Sequence, residues 1–247
     1  MLEIERAVCG CDYGGTSWTT RHEAERVGEL LGLNPGTRLL DVGAGAGCPG
    51  LYLARITGCD VTLVDVPLEG LRIATARAVA EQLAGECWVI AADGAALPLR
   101  SAGFDAIGHS DVLCCLESKL SVLKECRRVI RAGGRMAFTA ISIAPSLSSA
   151  DYKLALDAGP RFKETGVGYP KMLEQTGWRI THHLDLTVEY AQAARHILRQ
   201  EEARAEALTR LLGDAEFSDR LGRRRKTVQA LDGGLLQREL IAADALG

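Results

Sequence analysis

A glycine-rich segment at residues 41–50, Asp-Val-Gly-Ala-Gly-Ala-Gly-Cys-Pro-Gly, constrains the fold of this chain more than any other feature. An apolar strand precedes it, and an apolar helical stretch follows from Pro49, which suits a first helical turn. Glycine tolerates positive φ and lets a ligand approach the backbone without a Cβ in the way. The N–H groups at the start of the helix point toward the same place. The segment therefore predicts a nucleotide-type ligand site at the end of a buried strand.

Two ligand classes fit this segment. Residues 45–50 satisfy the dinucleotide pattern G-x-G-x-x-G, and Asp65 follows 20 residues later. Asp41 argues against a dinucleotide, because its carboxylate would face a pyrophosphate of the same charge sign. S-adenosylmethionine is cationic and has no phosphate, so the same carboxylate would favour it. The Tyr-x-x-x-Lys pair of short-chain reductases is also absent. Asp41 as a helix-capping or turn residue stays an alternative.

Composition indicates an ordinary globular protein. The chain has 247 residues, of which 47% are hydrophobic. Its net charge of −3 does not favour the binding of a polyanion. Eight cysteines form no C-x-x-C pair, so we expect reduced thiols and no metal site. We find neither an apolar signal core nor an apolar run of about 18 residues, and we expect a cytoplasmic protein without a membrane partner.

Short apolar segments alternate with helical patterns in the first 142 residues. Strands are expected at 38–42, 60–64, 87–91, 104–110 and 134–142, and helices at 21–33, 49–57, 68–83 and 116–130. Short apolar strands of this kind suit a parallel sheet that helices cover on both faces. The pattern predicts a doubly wound α/β fold in which residues 20–142 form the cofactor-binding core.

The pattern changes after residue 142. Short helices and a strand at 178–187 come first, and a charged helical stretch at 188–231 follows. Residues 235–246 are interpreted as the last strand, although their alanines would also suit a helix. Because no linker separates a second domain, we predict a single domain over 1–247, with segments 143–170 and 188–231 as a helical cap on the substrate side.

Five motifs occur in an order that resembles a known family. They are 39–47 (LLDVGAGAG), 64–67 (VDVP), 91–94 (AADG), 104–107 (FDAI) and 126–135 (CRRVIRAGGR). Together they resemble the successive motifs of class I S-adenosylmethionine-dependent methyltransferases, of the small-molecule, type 11-like kind. The resemblance implies a Rossmann-like, mostly parallel seven-stranded sheet with an antiparallel last strand, and S-adenosylmethionine as cofactor.

The resemblance also implies which residues hold the cofactor. The turn would hold the methionyl end, and Asp65 would accept both ribose hydroxyls, since a carboxylate is a bidentate acceptor. The full set of expected cofactor contacts is Asp41, Gly43, Ala44, Gly45, Gly47, Asp65, Val66, Asp93, Gly94, His109 and Ser110. Asp65 as a helix cap and Asp93 as a turn residue remain alternatives.

Candidate catalytic and substrate residues lie outside the turn. The fourth strand runs into the loop that the family places near the methyl group, where His109 is a candidate general base and Asp111 a candidate for orienting the acceptor. Aromatic residues outside the sheet are candidates for the substrate pocket: Tyr13, Trp18, Tyr152, Tyr169 and Tyr190. Each of them could instead pack the cap onto the core.

These observations predict methyl transfer to an O, N or C atom of a small-molecule metabolite by in-line displacement. One alternative is an RNA or protein methyltransferase, which the glycine-proline turn and the basic run at 220–226 would favour. Another is a protein that binds S-adenosylmethionine without turnover. We expect a small-molecule acceptor as partner and no nucleic acid, with a homodimer as a further expectation.

Overall fold

A seven-stranded sheet forms the centre of the computed structural model, which describes residues 2–10 and 18–247. The strands are β1 (Arg38–Val42), β2 (Asp60–Asp65), β3 (Cys87–Ala91), β4 (Phe104–Ser110), β5 (Ile130–Ile143), β6 (Trp178–Asp185) and β7 (Leu236–Ala245). Their spatial order is β3-β2-β1-β4-β5-β7-β6. β1 to β5 pair in parallel, and β7 pairs antiparallel with both β5 and β6. The predicted doubly wound, mostly parallel sheet is confirmed.

Helices cover both faces of this sheet. They are α1 (Leu2–Cys9), α2 (Arg21–Leu31), α3 (Gly50–Thr57), α4 (Leu68–Glu81), α5 (Lys119–Val129), α6 (Ser149–Leu156), α7 (Gly168–Gln175), α8 (Thr187–Ala203), α9 (Ala205–Leu212) and α10 (Asp214–Asp232). α2 begins with a capping box, in which the Glu23 N–H donates to the Thr20 hydroxyl and the Thr20 N–H donates to the Glu23 carboxylate. It ends at Gly32, which adopts the left-handed conformation.

The central strands are apolar on both faces because each face packs against helices. Leu40 and Ile107 lie in one buried cluster with Phe138, whereas Leu39 and Leu63 lie in a second cluster on the opposite face. Neighbouring residues of a strand point to opposite faces, so one short strand contributes to both cores. This explains why the strands read as continuous apolar runs.

The predicted elements are present, but several bounds differ. The strand expected at 134–142 is β5 (Ile130–Ile143), which begins four residues earlier than predicted. The apolar end at 235–246 is a strand, because β7 inserts between β5 and β6 and pairs along both of its edges. The helical stretch at 188–231 is divided into three helices, with breaks at Arg204 and at Gly213, whose φ is 88°. The helix expected from residue 116 starts at Lys119, because a short 3-10 turn at Leu113–Cys115 precedes it.

The cap packs on the sheet near the ends of β4 and β5. Tyr190 and Ala194 of α8 share a buried cluster with Leu231 of α10, Ile141 of β5 and Leu236 of β7. These contacts hold α8 and α10 beside the strand ends at which the glycine-rich turn also lies. Among residues 2–10 and 18–247, no helix combines the length and the apolar character that crossing a bilayer requires.

Candidate functional site

A cavity of about 440 Å³ lies at the carboxyl ends of β1, β2 and β4. One wall is the turn at residues 43–48, and Asp65 lies at the end of β2. The other wall contains Ser110, Asp111 and Trp18. Because β1 has β2 on one side and β4 on the other, this is the topological switch point at which open α/β sheets bind ligands.

The glycine-rich turn depends on backbone conformations that side chains would obstruct. Gly43 and Gly47 have φ values of 72° and 105°. A Cβ at Gly43 would lie 2.4 Å from Cγ2 of Val112, and a Cβ at Gly47 would lie 2.4 Å from Cδ1 of Leu51. The N–H groups of Gly43 and Ala44 both donate to the Val64 carbonyl, at 2.7 and 3.1 Å. The turn is therefore fixed against the end of β2.

Asp41 supports this turn from inside the protein. Its carboxylate accepts a hydrogen bond from the Gly50 N–H at 2.9 Å, and a Cβ at Gly50 would lie 2.5 Å from the same oxygen. The residue is 1% exposed, and burial raises the pKa of Asp41 to about 7, with the nearby charge of Asp65 adding to the shift. The expected direct contact with the cofactor is thus corrected, because Asp41 caps α3 and does not line the cavity.

Asp65 is the carboxylate that faces the cavity. One of its oxygens accepts from the Gly45 N–H and the other from the Val66 N–H, both at 2.7 Å. Each carboxylate oxygen has a second lone pair, so these bonds leave Asp65 able to accept from a ligand. Asp65 therefore lines the cavity beside the turn, and its contact with the ribose hydroxyls stays a prediction.

Val66, Asp93 and Gly94 lie beside this cavity rather than in its lining. Val66 is 63% exposed, and the Ala92 N–H donates to the Asp65 carbonyl at 3.0 Å, which brings the loop after β3 next to Asp65. Asp93 accepts from the Ala95 N–H at 2.8 Å, which is the turn role that the sequence left open. The cleft is open toward this loop, and the adenine contacts of these three residues stay predictions.

His109 lies in the core and not in the cleft. It is 1% exposed, and its ring stacks on Phe138 with centroids 4.6 Å apart. Neither ring nitrogen has a hydrogen-bond partner among the described residues, and burial lowers the pKa of His109 to about 3. Because strand residues alternate, Ser110 lines the cavity and His109 does not. The structure contradicts the predictions that His109 is a general base and a cofactor contact.

Asp111 lines the cavity but is bound by an arginine that the sequence analysis did not consider. The Asp111 carboxylate accepts a hydrogen bond from Nε of Arg238 at 3.1 Å, and its other oxygen forms an ion pair with Nη2 at 3.0 Å. Arg238 is fully buried and also donates to Glu23 at 2.8 Å. Burial alone would lower the pKa of Arg238, but the two carboxylates reverse that effect and raise it. An arginine inside the apolar strand β7 was the available signal.

Of the four aromatic candidates that lie in the described part of the chain, Trp18 and Tyr190 are brought together and Tyr152 and Tyr169 lie elsewhere. Trp18 lines the cavity and contacts the edge of Tyr190, with ring centroids 5.1 Å apart. Tyr169 is fully buried against Phe138, so its predicted substrate contact is corrected to core packing. Tyr152 is exposed and hydrogen-bonds Glu164. Tyr13 lies outside the described residues.

A second cavity of about 300 Å³ adjoins the first. It shares Trp18, Cys115 and Pro160 with the first cavity. Its remaining lining is Gly159, Tyr190, Arg220, Arg223, Arg224 and Thr227. Sequence reasoning placed Tyr190 near a pocket, but it missed Cys115, Pro160 and the arginines of α10. These residues are far apart in the sequence, and no sequence pattern predicts that they lie together.

The core around the first cavity matches a known domain. The sequence profile of a family described as a methyltransferase domain matches residues 40–138, from β1 through the middle of β5. Residues 40–138 of the chain are thus similar to a methyltransferase domain. The family match therefore covers the glycine-rich turn, Asp65 and the end of β4 but leaves out most of the cap.

Curated relatives carry methyltransferase names. The chain is 30% identical over 169 residues to methyltransferase GfsG of Streptomyces halstedii, covering 66% of this chain and 60% of the relative. It is also 30% identical over 149 residues to a 27-O-demethylrifamycin SV methyltransferase of Amycolatopsis mediterranei, covering 60% of this chain and 53% of the relative. The chain thus spans just over half the length of these two methyltransferases.

Solved methyltransferases share the fold. A phosphoethanolamine N-methyltransferase 2 of Haemonchus contortus, in complex with S-adenosyl-L-methionine, superposes with a TM-score of 0.82 at 16% identity. The match covers 100% of this chain and 57% of that one. At this identity, the similarity concerns the fold alone.

Proposed function

We propose that this protein transfers the methyl group of S-adenosylmethionine to an O, N or C atom of a small-molecule acceptor. S-adenosylmethionine is the cofactor, as the match to a methyltransferase domain implies. The observation that carries the proposal is the Asp65 carboxylate, which is bonded to the Gly45 N–H of the turn at 2.7 Å and faces the cavity. When bound, the cofactor supplies a methyl group activated by its sulfonium centre.

The residues of the first cavity fit such a cofactor in two respects. A Cβ built on Gly45 would have only Asp65 Oδ2 nearby, at 4.0 Å, so the backbone there is open toward the cleft. The carboxylates of Asp65 and Asp111 both line the cavity, and anionic groups suit a cationic ligand. Asp65 would accept from the ribose hydroxyls, and Asp111 would lie toward the cationic centres.

The chain would accelerate methyl transfer mainly by positioning. Ser110 and Asp111 lie at the end of β4, and Arg238 fixes the Asp111 carboxylate through one hydrogen bond and an ion pair. Trp18 and Ile141 supply apolar walls that exclude water from the acceptor side. Holding an acceptor close and in line within such a dry cleft lowers the barrier without a strong base. We therefore assign Asp111 a positioning role in the acceptor site.

The basic run supports a small-molecule acceptor over a polyanion. Arg220 is paired with Glu201, and Arg225 is paired with Glu202. Arg223 is paired with Asp219. Acidic side chains thus alternate with the basic ones on this part of the cap, so a polyanion would meet a mixed surface and not a uniformly basic one. The names of the two curated relatives are consistent with this choice, since one of them denotes the methylation of a rifamycin.

Replacing Asp65 with alanine tests the cofactor assignment. We expect Asp65→Ala to weaken S-adenosylmethionine binding by about 1–3 kcal/mol, because the ribose hydroxyls would lose their acceptor. Isothermal calorimetry on wild type and variant measures this difference. Asp60→Ala is the matched control, since Asp60 begins the same strand at its far end and its carboxylate accepts from the Glu86 N–H, away from the cavity.

Two results would contradict the proposal. Equal affinity in wild type and Asp65→Ala would remove the ribose assignment. Failure of wild type to release S-adenosylhomocysteine with any member of a panel of small hydroxyl, amine and activated-carbon acceptors would favour a binding protein without turnover. Release with a structured RNA alone would instead support the alternative acceptor class.

A further inference from the structure

The second cavity continues the cleft on the side where an acceptor would enter. It shares Trp18, Cys115 and Pro160 with the first cavity. Asp65 lines only the first cavity, as do Ser110 and Asp111. The second cavity is thus reached past the Trp18 wall rather than through the ribose end of the cleft.

Three guanidinium groups line this second cavity. Arg223 and Arg224 follow Arg220 by three and four positions on α10, so the three side chains lie on one face of the helix. The described carboxylates near them are Glu201, Asp219 and Glu216. Of these three carboxylates, only Glu201 is fully buried, and the other two lie more than half exposed in solvent.

Glu201 does not neutralise this group of arginines. Its Oε1 accepts from Nε and Nη2 of Arg220, at 2.9 and 2.7 Å. The same oxygen lies 3.6 Å from Nε of Arg224, which is too long for a hydrogen bond. Arg223 is paired with the exposed Asp219 and Glu216, whose charges water screens. One buried carboxylate therefore faces two mostly buried guanidinium groups and a third at the rim.

Arg224 is the arginine with the most unused binding capacity. Its side chain is 19% exposed, and its guanidinium carbon lies 4.6 Å from the centroid of the Trp18 ring. Its Nε has no hydrogen-bond partner among the described residues, and burial lowers its pKa. A guanidinium over an aromatic ring is held there by a cation–π contact, and its N–H groups can still bind an oxyanion.

We propose that the second cavity binds an oxyanion of the methyl acceptor, a carboxylate or a phosphate, through Arg223 and Arg224. This inference rests on the proposed function, since it assigns the acceptor a charged group at a distance from the methylated atom. Arg220 is a positioning residue, because Glu201 already holds it through two hydrogen bonds. A volume of about 300 Å³ accommodates such a group with a few attached carbons.

Titration with simple oxyanions tests this assignment. Inorganic phosphate and malonate are titrated separately at constant ionic strength into wild type, Arg223→Gln and Arg224→Gln, and calorimetry records binding. We expect wild type to bind at least one of the two anions and each variant to bind it about tenfold to a hundredfold more weakly, as the loss of a charge-assisted hydrogen bond implies. The preferred anion indicates whether the acceptor carries a phosphate or a carboxylate.

Arg225→Gln is the matched control. Arg225 follows Arg224 directly, but it is paired with Glu202 at 2.8 Å and does not line the cavity. We expect this control to bind the anion as wild type does. The proposal is overturned if neither anion binds wild type, or if all three variants lose affinity equally. Arg223→Gln removes a largely exposed side chain, so it keeps the test decisive even if Arg224→Gln disturbs the Trp18 contact.

Turnover separates this inference from the proposed function. Wild type is assayed for S-adenosylhomocysteine release with acceptor pairs in which a carboxylic acid is matched with its amide, and a phosphate ester with its alcohol. We expect the anionic member of a pair to be the substrate and the KM for it to rise in Arg223→Gln without a matching change in S-adenosylmethionine affinity. Preference for the neutral members overturns the oxyanion site alone, whereas failure of wild type to bind S-adenosylmethionine overturns the proposed function.

Discussion

The two walls of the cleft are held in place by different kinds of contacts. The turn wall, residues 41–50, is one continuous segment, and its carboxylate Asp41 bonds a backbone N–H nine residues away. The cap wall, formed by Trp18, Asp111, α8, α10 and Arg238 of β7, comes from distant parts of the chain. Arg238 alone bonds Asp111, which lies 127 positions earlier in the chain, and Glu23, which lies 215 positions earlier.

The two walls also differ in how their buried ionisable side chains are stabilised. On the turn wall, Asp41 is a buried carboxylate with no cation bonded to it, and burial raises its pKa to about 7. On the cap wall, Arg238 and Glu201 are buried as members of ion pairs. A carboxylate without a cationic partner avoids the cost of burial by binding a proton, whereas paired groups stay charged and depend on one another.

The largest effect is expected on the cap wall. Arg238→Met should lower the free energy of unfolding by about 3–5 kcal/mol, because it leaves the carboxylates of Glu23 and Asp111 without their buried cation. Urea denaturation of wild type and variant measures the loss.

Arg179→Met is the control for this comparison. Arg179 lies on the neighbouring strand β6 and is paired with Asp244, but its side chain is mostly exposed. We expect a loss of about 0–1 kcal/mol there. If Arg238→Met cost no more than Arg179→Met, the cap wall would not depend on buried ion pairs, and the contrast between the two walls would disappear.

A smaller, pH-dependent effect is expected on the turn wall. The pKa of Asp41 is raised from 3.8 to about 7, so the folded chain binds this proton more tightly than the unfolded chain. Its contribution to stability is therefore fully present below about pH 4 and is lost as the pH rises to about 7. Asp41→Asn should remove this loss, which is on the order of 4 kcal/mol.

The measurement is the difference in unfolding free energy between wild type and Asp41→Asn at several pH values from 4 to 8. The difference isolates Asp41, because both proteins share every other titrating group. His109 contributes the opposite slope, since its pKa is lowered to about 3 and its contribution grows as the pH rises from 3 to 6.5. A constant difference across this range would show that Asp41 is not protonated in the folded chain.

The smallest effect is expected at His109, which belongs to neither wall. His109→Phe should leave turnover near the wild-type value, because the ring only stacks on Phe138 in the core. Loss of a general base would instead lower kcat about a hundredfold or more. Steady-state assays of S-adenosylhomocysteine release decide between these results, and His109→Leu repeats the test with a smaller side chain. A large loss of kcat in both folded variants would return His109 to the catalytic site.

Much of the fold and of the turn wall could be predicted from the sequence. Strands 38–42, 87–91 and 104–110 have the predicted bounds. Asp65 lies in the cavity as expected, because a residue that ends one parallel strand must lie near the turn that ends its neighbour. These features depend on local periodicity and on glycine conformation, which adjacent residues encode.

The cap wall could not be predicted in the same way. The run at 220–226 is recognisably basic in the sequence. Only the structure shows that Glu201 and Trp18 lie beside it. His109 and Ser110 are neighbours in one strand, yet only Ser110 lines the cleft, and the sequence alone favoured His109 as the reactive group. Choosing between them requires the face of the strand that the core covers, which depends on Phe138 and Tyr169 far along the chain.

The sequence by itself therefore determined the sheet, the glycine-rich turn and the resemblance to methyltransferases, because each depends on short-range spacing. The tertiary structure alone decided that Asp41 supports the turn from the core, that Arg238 binds Asp111, and that three arginines of α10 line a cavity beside the cleft. Those outcomes depend on burial and on charges brought together from distant segments, and no local pattern in the chain records them.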